Sequence, residues 1–311
     1  MIFREYGNSI LNVSALAFGG WPIAGVGWSN VNERDSIAAV QQALDEEMNF
    51  LDTAYMYGEN GESEILLGKA IAGRRDEAIV ATKCGVHWVR GEMVRDSSPK
   101  RIKCEVEESL RRLNIDVIDL YQVHAPDENT PIEKTAEMMA LLLEEGKIRA
   151  VGVSNYSVEQ MKSFCSVSPL HSLQPRYSMI DRRIENEIVP YCRERNIGIC
   201  VYCPLERGLL TDRIKPGEEY PSEDSRHTDL AFRGKEFTRT KAMNRALQEI
   251  ATECGISTVQ LVLNWTVHQP GITVAIVGAT RPHQVAENAK SLTLELSEEQ
   301  MQKINKVIES R

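Results

Sequence analysis

Four polar side chains that are distant along the chain have the chemistry needed for proton transfer. Lys83 follows Ile79–Thr82, a run typical of a buried strand. A buried ammonium needs a partner, and we expect Asp52 to provide it. An ammonium nearby lowers the pKa of a phenol, so Lys83 would make Tyr57 a general acid near neutral pH. His124 would donate a hydrogen bond to a substrate oxygen, and the set predicts proton delivery to a carbonyl oxygen.

Two other interpretations use the same residues. Asp52 and Lys83 could form an ion pair that only stabilises the fold, although Tyr57 and His124 at the same rim favour catalysis. Lys83 could instead be the Schiff-base nucleophile of an aldolase. Against the aldolase, the sequence places no general base near Lys83 other than the paired Asp52.

A second candidate site lies where a strand-like run leads into a helix, at Ile276–Pro282. A glycine ahead of a helix N-terminus allows the free N–H groups to bind phosphate. Arg281 adds a guanidinium suited to a ribose 2′-phosphate. A routine turn between a strand and a helix explains the same segment about as well.

Metal and thiol chemistry find little support in the sequence. Cys200 and Cys203 have C-x-x-C spacing, but they lie in one predicted strand, where residues three apart face opposite sides. The six histidines lack the H-E-x-x-H spacing of zinc proteases, and neither a G-x-S-x-G turn nor a P-loop occurs. We therefore expect no metal site.

The hydrophobic pattern predicts the elements that would bring these residues together. Short β-branched runs alternate with amphipathic segments long enough to connect parallel strands. Eight such units in 311 residues predict an α/β fold, a (β/α)8 TIM barrel, as a single domain over residues 1–311. The predicted strands are Leu16–Gly19, Phe50–Ala54, Ile79–Lys83, Val117–His124, Ala150–Ser154, Ser172–Arg176, Gly198–Cys203 and Ile272–Val277. The predicted helices are Glu33–Met48, Ser63–Ala72, Lys100–Leu113, Pro131–Glu145, Val158–Phe164, Ile184–Arg195, two or more after Phe237, and Ser297–Glu309.

A doubly wound dinucleotide-binding sheet is the competing architecture. It normally carries G-x-G-x-x-G after its first strand. Here Gly25 and Gly27 are followed by Asn30 at the third position, so the signature is absent. One long irregular stretch, from Leu209 to about Lys235, predicts a lid, since long loops in compact domains are usually functional.

Composition limits the partners. The chain has 45 acidic and 36 basic residues, a net charge of −9, so nucleic acid is not expected as a partner. No apolar run approaches the ~20 residues of a membrane span, and no signal-peptide pattern is present. Seven scattered cysteines favour free thiols in a reducing compartment, so we expect a cytoplasmic protein whose oligomeric state stays open.

Seven segments, collinear over nearly the whole chain, resemble the motifs of the aldo-keto reductase superfamily. They are Asp52–Gly58, Gly61–Gly68, Ala81–Lys83, Leu120–His124, Gly146–Asn155, Tyr202–Leu205 and Gly278–Asn288. The resemblance implies a TIM barrel with an N-terminal β-hairpin over Phe3–Val13 and extra C-terminal helices. It also implies an NADP-dependent enzyme that transfers a hydride from NADPH to a carbonyl carbon while Tyr57 protonates the oxygen.

The resemblance further implies specific roles. Asp52, Tyr57, Lys83 and His124 would be catalytic; Ser154, Asn155 and Gln174 would hold the carboxamide, and Tyr202 would stack on the nicotinamide. The full set of implied cofactor-binding residues is Gly20, Trp21, Asp52, Ser154, Asn155, Gln174, Tyr202, Pro204, Leu205, Arg207, Gly208, Leu210, Gly278, Ala279, Thr280, Arg281, Gln284 and Asn288. The implied substrate pocket is Trp21, Trp28, Tyr55 and Trp88, which would suit a sugar face or a flat aromatic substrate.

Two departures from the family pattern matter. Many members have an arginine where Gln284 stands, so the 2′-phosphate would rest mainly on Arg281, and NADPH is expected to be preferred over NADH. The chain also lacks the long C-terminal substrate loop of the steroid- and aldose-type branch, and so resembles the bacterial branch. Another branch, similar to potassium-channel β subunits, leaves open an NADP(H)-binding regulatory subunit with little turnover.

Overall fold

A computed structural model describes residues 1–25, 31–215, 217–221, 224 and 226–311 of the chain. An antiparallel hairpin of β1 (Phe3–Glu5) and β2 (Asn12–Ser14) comes first, as predicted. The eight predicted strands all form, and in the described part of the chain they close into a parallel barrel in sequence order. They are β3 (Leu16–Gly19), β4 (Phe50–Asp52), β5 (Ile79–Cys84), β8 (Ile118–Val123), β9 (Ile148–Ser154), β10 (Ser172–Gln174), β11 (Gly198–Val201) and β12 (Val274–Gly278). The TIM-barrel prediction is confirmed.

Helices lie between successive barrel strands and after the last one, and sequence signals fix where several of them begin. They are α1 (Glu33–Asp45), α2 (Glu62–Ala70), α3 (Pro99–Leu113), α4 (Ile132–Glu144), α5 (Val158–Cys165), α6 (Ile188–Glu194), α7 (Gly234–Glu253), α8 (Thr258–Val267), α9 (Pro282–Ala289) and α10 (Glu298–Glu309). The Asn32 and Ser98 side chains cap α1 and α3 by accepting backbone N–H bonds. Within the described residues, no helix combines the length and apolar character needed to cross a membrane.

The barrel interior changes from apolar to polar along the strand direction. Phe50, Ala81 and Leu120 belong to one buried cluster with Tyr6, whose ring covers the N-terminal end of the barrel. Successive residues of a strand face opposite sides, so the residues two positions further on share the same inward face. In β4 and β5 those residues are Asp52 and Lys83. The top layer of the barrel is therefore polar because the alternation continues with polar residues at the strand ends.

One hairpin was missed by the sequence analysis. After β5 the chain forms an antiparallel pair, β6 (Val86–Val89) and β7 (Glu92–Arg95). Its two-residue turn, Arg90-Gly91, has positive φ at both positions, the geometry of a tight hairpin turn. A glycine at the second turn position between two alternating segments was the available signal.

The long stretch from Leu209 to Lys235 is partly described. Its described residues form turns and a short 3-10 helix, Leu230–Phe232, and α7 begins at Gly234, before the predicted end of the stretch. Leu209, Ile214 and Phe232 pack with Phe237 of α7 in a small apolar cluster of their own. The stretch is therefore anchored to α7 in its described part, and its role as a lid stays a prediction.

Helix α2, which follows the loop carrying Tyr57, packs very closely on α3. A Cβ built on Gly68 would lie 2.5 Å from the backbone oxygen of Leu113. Because the obstacle is backbone, it cannot be relieved by a side-chain rotation. We expect Gly68→Ala to lower the free energy of unfolding by about 1–3 kcal/mol, measured by urea denaturation, although alanine is the better helix former.

Lys69→Ala is the matched control for this variant. Lys69 is exposed and its ion pair with Glu33 is open to solvent, so its loss should cost at most about 1 kcal/mol. Equal stability of Gly68→Ala and the parent protein would show that the two helices can separate without cost.

Candidate active site

A buried ammonium lies at the centre of the polar layer. Lys83 Nζ donates to Asp52 Oδ2 at 2.6 Å, to the backbone oxygen of Thr53 at 2.9 Å and to the Tyr57 hydroxyl oxygen at 3.4 Å. An ammonium has three N–H donors, so all three are used. Lys83 is 1% exposed and Asp52 is 2% exposed, so water solvates neither charge appreciably.

The carboxylate of Asp52 is held from its other side by amides. Gln174 Nε2 donates to Asp52 Oδ1 at 2.8 Å, and Gln122 Nε2 lies 3.4 Å from the same oxygen. A buried ion pair is tolerated when its remaining hydrogen-bonding capacity is satisfied. The predicted partnership of Asp52 and Lys83 is therefore present, within a network that the sequence did not reveal.

Tyr57 reaches this ion pair from the loop after β4. The loop turns at Gly58, where φ is +91°, a backbone conformation that strongly favours glycine. The Tyr57 ring packs edge-on against Trp21, with ring centroids 4.8 Å apart, and against His124 at 5.8 Å. These contacts hold the hydroxyl group over Lys83 at the mouth of the barrel.

The electrostatics at Tyr57 differ from the sequence-based expectation. Burial raises the pKa of the Tyr57 phenol well above its usual value, and the negative charge of Asp52 adds to this. The expected lowering by Lys83 does not dominate because Asp52, 2.6 Å from the ammonium, offsets its charge. Tyr57 is therefore a protonated hydrogen-bond donor at neutral pH.

His124 is neutral for related reasons. Burial lowers the pKa of its imidazole to about 3, and the positive charges of Lys83 and Arg95 contribute. A neutral imidazole carries one N–H donor, which matches the predicted role of a hydrogen-bond donor to a substrate oxygen. The His124 backbone is fixed by its N–H bond to Cys84 and by a bond from Asn155 Nδ2 to its carbonyl oxygen.

The residues predicted to hold a carboxamide are linked to one another. Asn155 adopts a left-handed conformation with φ of 63°, uncommon for a residue other than glycine. Its amide donates to Ser154 Oγ at 3.0 Å, and its oxygen accepts a bond from the Tyr202 hydroxyl at 2.9 Å. Ser154 Oγ in turn donates to the backbone oxygen of Gln174. This side of the rim is a connected polar surface beside Tyr57.

A cavity of about 590 Å³ extends from Tyr57 and His124 to the start of α9. Its volume is in the usual range for small-molecule sites. Most predicted cofactor-binding residues line it: Trp21, Asp52, Ser154, Asn155, Gln174, Tyr202, Pro204, Leu205, Arg207, Gly208, Gly278, Gln284 and Asn288.

Several predicted site residues lie off this cavity. Leu210 is fully buried in the main core, and Ala279 packs against the same core, because both are apolar side chains directed inward. Gly20 is buried, and its N–H binds the backbone oxygen of Asp52. Thr280 and the exposed Arg281 stand outside the lining, at the start of α9.

The predicted substrate pocket is only partly assembled. The Tyr55 hydroxyl donates to Glu108 Oε2 at 2.6 Å and its ring lies under Arg112, so Tyr55 faces α3 and not the cavity. Trp21 and Trp88 both pack on the apolar cluster that contains Tyr57. Trp28 lies outside the described residues.

Arginines on the cavity wall are the main residues that the sequence analysis missed. Arg176, Arg213 and Arg226 join Arg207 there. Arg213 pairs with Glu287 at 2.7 Å and Arg226 with Asp224 at 2.6 Å. Arg176 and Arg207 pair with Glu206 and Asp229, respectively. The position of Arg176 at the end of a predicted strand was a usable signal, whereas Arg213 and Arg226 lie in the long irregular stretch.

The donor set of the cavity fits a dinucleotide. Guanidinium groups near a helix N-terminus suit phosphates, while the Tyr202 ring suits a flat ring and the amide oxygens of Asn155 and Gln174 suit the N–H groups of a carboxamide. Gln284 Oε1 accepts the backbone N–H groups of Thr280 and Arg281, at 2.9 and 3.2 Å, and so fixes the turn that leads into α9. Across the described ranges, His, Cys, Asp and Glu side chains form no cluster of three or more suited to a metal ion.

A family profile, two related sequences and a solved structure all match this chain over nearly its whole length. The profile of the aldo/keto reductase family matches residues 15–309. The chain is 38% identical over 313 aligned residues to aldo-keto reductase YhdN of Bacillus subtilis, covering 100% of this chain and 94% of that protein. It is 32% identical over 308 residues to the NADH-specific methylglyoxal reductase of Escherichia coli, covering 94% of each. The solved structure of glycerol dehydrogenase AKR11B4 from Gluconobacter oxydans aligns with a TM-score of 0.92 and 35% identity, over 99% of this chain and 95% of that one.

The neutrality of His124 predicts a pH dependence of stability. Its pKa of about 3 in the folded protein lies below the ordinary value of 6.5, so between these values only the unfolded chain takes up the proton. Stability therefore falls as pH falls through this window. We expect His124→Gln to make the slope of unfolding free energy against pH shallower by up to about 1.4 kcal/mol per pH unit between about pH 4 and 6.

The measurement is urea denaturation at a series of pH values. His283→Gln, the same change at an exposed histidine of α9, is the matched control. If the two variants give the same slope of unfolding free energy against pH, the pKa of His124 in the folded protein is not lowered by burial.

Proposed function

This chain belongs to the aldo/keto reductase family, and from that premise we propose that it reduces aldehydes or ketones with NADPH, using Tyr57 as the proton donor. Members of this family are oxidoreductases that use nicotinamide cofactors on small carbonyl compounds. The indole rings of Trp21 and Trp88 flank the Tyr57 cluster and suit a substrate with a flat face, such as a sugar or an aromatic ring. The protein is proposed to act in the cytoplasm.

One observation carries the proposal: the Tyr57 hydroxyl lies 3.4 Å from Lys83 Nζ, beside His124, at the inner end of the cavity. The arrangement supplies a proton donor and a second hydrogen-bond donor to one small volume. A carbonyl oxygen placed there would be polarised by the neutral imidazole of His124 and would receive the Tyr57 proton.

In this proposal Tyr57 donates the proton and Lys83 stabilises the phenolate that remains. A bound nicotinamide would supply the hydride that reaches the carbonyl carbon. The alkoxide oxygen that develops is more basic than a phenolate, so the Tyr57 proton moves to it even though the pKa of Tyr57 is raised. The phenolate left behind lies beside the Lys83 ammonium, which stabilises it until a proton returns from solvent.

The raised pKa sets the protonation state of Tyr57 from which each direction of the reaction would start. Carbonyl reduction starts from protonated Tyr57, which predominates at neutral pH, whereas alcohol oxidation would need the phenolate. The Schiff-base aldolase is disfavoured because the three N–H donors of Lys83 are committed to Asp52, Thr53 and Tyr57. A nucleophilic amine would first have to lose a proton that its partner Asp52 holds in place.

The cofactor would lie along the cavity. Asn155, Ser154 and Gln174 would hold its carboxamide, Tyr202 would stack on the nicotinamide, and the arginines of the wall would contact the pyrophosphate. Because Gln284 is occupied with the turn before α9, a 2′-phosphate would rest on Arg281. One relative is named as NADH-specific, so the choice between the two cofactors needs its own test.

We expect Tyr57→Phe to reduce carbonyl turnover by about 10²- to 10⁴-fold, because the general acid is lost while the ring contacts remain. The affinity for NADPH, measured by fluorescence titration, should change little. The assay follows NADPH absorbance with a panel of aldehydes, ketones and sugars.

Tyr55→Phe is the matched control, since its hydroxyl group binds Glu108 away from the cavity. Unchanged turnover in Tyr57→Phe would refute the assignment of the acid. NADPH binding by the parent protein without turnover of any carbonyl would favour the regulatory subunit.

We expect Arg281→Ala to raise KM for NADPH by about tenfold, the loss of one charge-assisted contact to a phosphate, and to leave KM for NADH unchanged. Arg245→Ala, an exposed arginine of α7 off the cavity, is the control for the change in net charge. Equal effects on both cofactors would show that Arg281 does not read the 2′-phosphate.

A further inference from the structure

The β6–β7 hairpin lies against the wall of the mouth where Tyr57 stands. Val86 is buried in one apolar cluster with Tyr57 and Ala125, the residue that follows His124. Trp88 packs on the same cluster, and its indole N–H donates to the backbone oxygen of Met56 at 2.9 Å. The hairpin is thus fixed in place, with one face directed to the proposed catalytic residues.

The strand register places a cation on that face. Arg95 is directly opposite Val86, and Met93 is opposite Trp88. Directly paired residues of an antiparallel hairpin project from the same face, as do alternate residues of one strand. Arg95 therefore shares a face with Val86 and Trp88, beside the mouth, and its charge helps to lower the pKa of His124.

This cation differs from the arginines of the cofactor cavity. Arg176 and Arg213 each pair with a carboxylate. Arg95 is exposed, and among the residues that the structure describes it makes no side-chain hydrogen bond or ion pair.

The carboxylates near Arg95 in the chain do not pair with it: Glu92, three residues earlier in β7, pairs with Val89 in the ladder and so projects from the opposite face. Asp96 accepts the backbone N–H of Ser98. Asp127 accepts bonds from the N–H of Ser97 and the hydroxyl group of Thr130. The local positive charge is therefore available to a ligand.

We infer that Arg95 binds an anionic group of the substrate, a carboxylate or a phosphate, located away from the reacting carbonyl. This rests on the proposed function, since it assumes a carbonyl held at Tyr57 and His124. A guanidinium binds either anion through two parallel N–H bonds, which fixes the orientation of the substrate as well as its affinity. The substrate class is then aldehydes or ketones that carry an acidic group, flanked by the rings of Trp21 and Trp88.

The test compares pairs of substrates that share the reacting carbonyl and differ in whether they carry an anionic group. 4-Carboxybenzaldehyde is paired with 4-carbamoylbenzaldehyde, and glyceraldehyde 3-phosphate with glyceraldehyde. For the parent protein we expect kcat/KM to be about tenfold higher for the anionic member of at least one pair, and the preferred pair identifies the anion. Raising the ionic strength should reduce this preference without affecting the neutral substrates.

Arg95→Gln should lower kcat/KM for the anionic substrate by about tenfold and leave the neutral one within about twofold. Arg95→Lys should restore part of the loss, because it keeps the charge but not the paired bonds. Arg90→Gln is the matched control: it makes the same change at the turn of the same hairpin, at the opposite end from Arg95.

The outcomes separate the two proposals. Neutral aldehydes reduced equally well by the parent protein and Arg95→Gln, with no preference for the anionic member of either pair, would overturn the inference and leave the reductase proposal standing. The same loss in Arg90→Gln as in Arg95→Gln would also overturn it, since a general charge effect would then suffice. Absence of turnover with every substrate would count against the proposed function itself.

Discussion

The ion pair between Asp52 and Lys83 is the interaction on which the mouth of the barrel depends. Both charges are almost fully buried, so their desolvation is offset only if every hydrogen-bonding group finds a partner. Thr53, Gln174 and the Tyr57 hydroxyl supply those partners. Removing either charge would leave the other uncompensated, at a cost of about 3–5 kcal/mol. The same pair therefore stabilises the polar layer and holds the phenol in place.

The compensation within this pair determines the protonation of its neighbours. Because Asp52 offsets the charge of Lys83, burial prevails at Tyr57 and keeps the phenol protonated. Burial and two cations keep His124 neutral. Both groups then carry a hydrogen that they can donate over the same range of pH. A site with two donors facing one position suits an acceptor oxygen that gains negative charge, which is the requirement for reducing a carbonyl.

Charge is arranged differently in the outer parts of the site. Along the cavity, Arg213 and Arg226 pair with Glu287 and Asp224, so a bound phosphate would share or displace an existing partner. On the β6–β7 hairpin, Arg95 has no such partner among the described residues. The paired arginines hold the long loop near the cavity in the absence of a ligand. Arg95, which is exposed and has no carboxylate partner in the described part of the chain, can bind an anionic ligand without breaking an existing ion pair.

The sequence by itself determined the barrel and placed Asp52, Lys83 and His124 at the ends of its strands. Buried runs such as Ile79–Thr82 are typical of interior strands, and in a barrel Asp52 and Lys83 at the strand ends then meet at one rim. The direction of the pKa shift at Tyr57, the outward turn of Tyr55 and the pairing of the wall arginines were decided only by tertiary structure. The physical reason is that alternation along a strand specifies which face a residue occupies, whereas desolvation and ion pairing depend on what other segments bring to within a few ångströms.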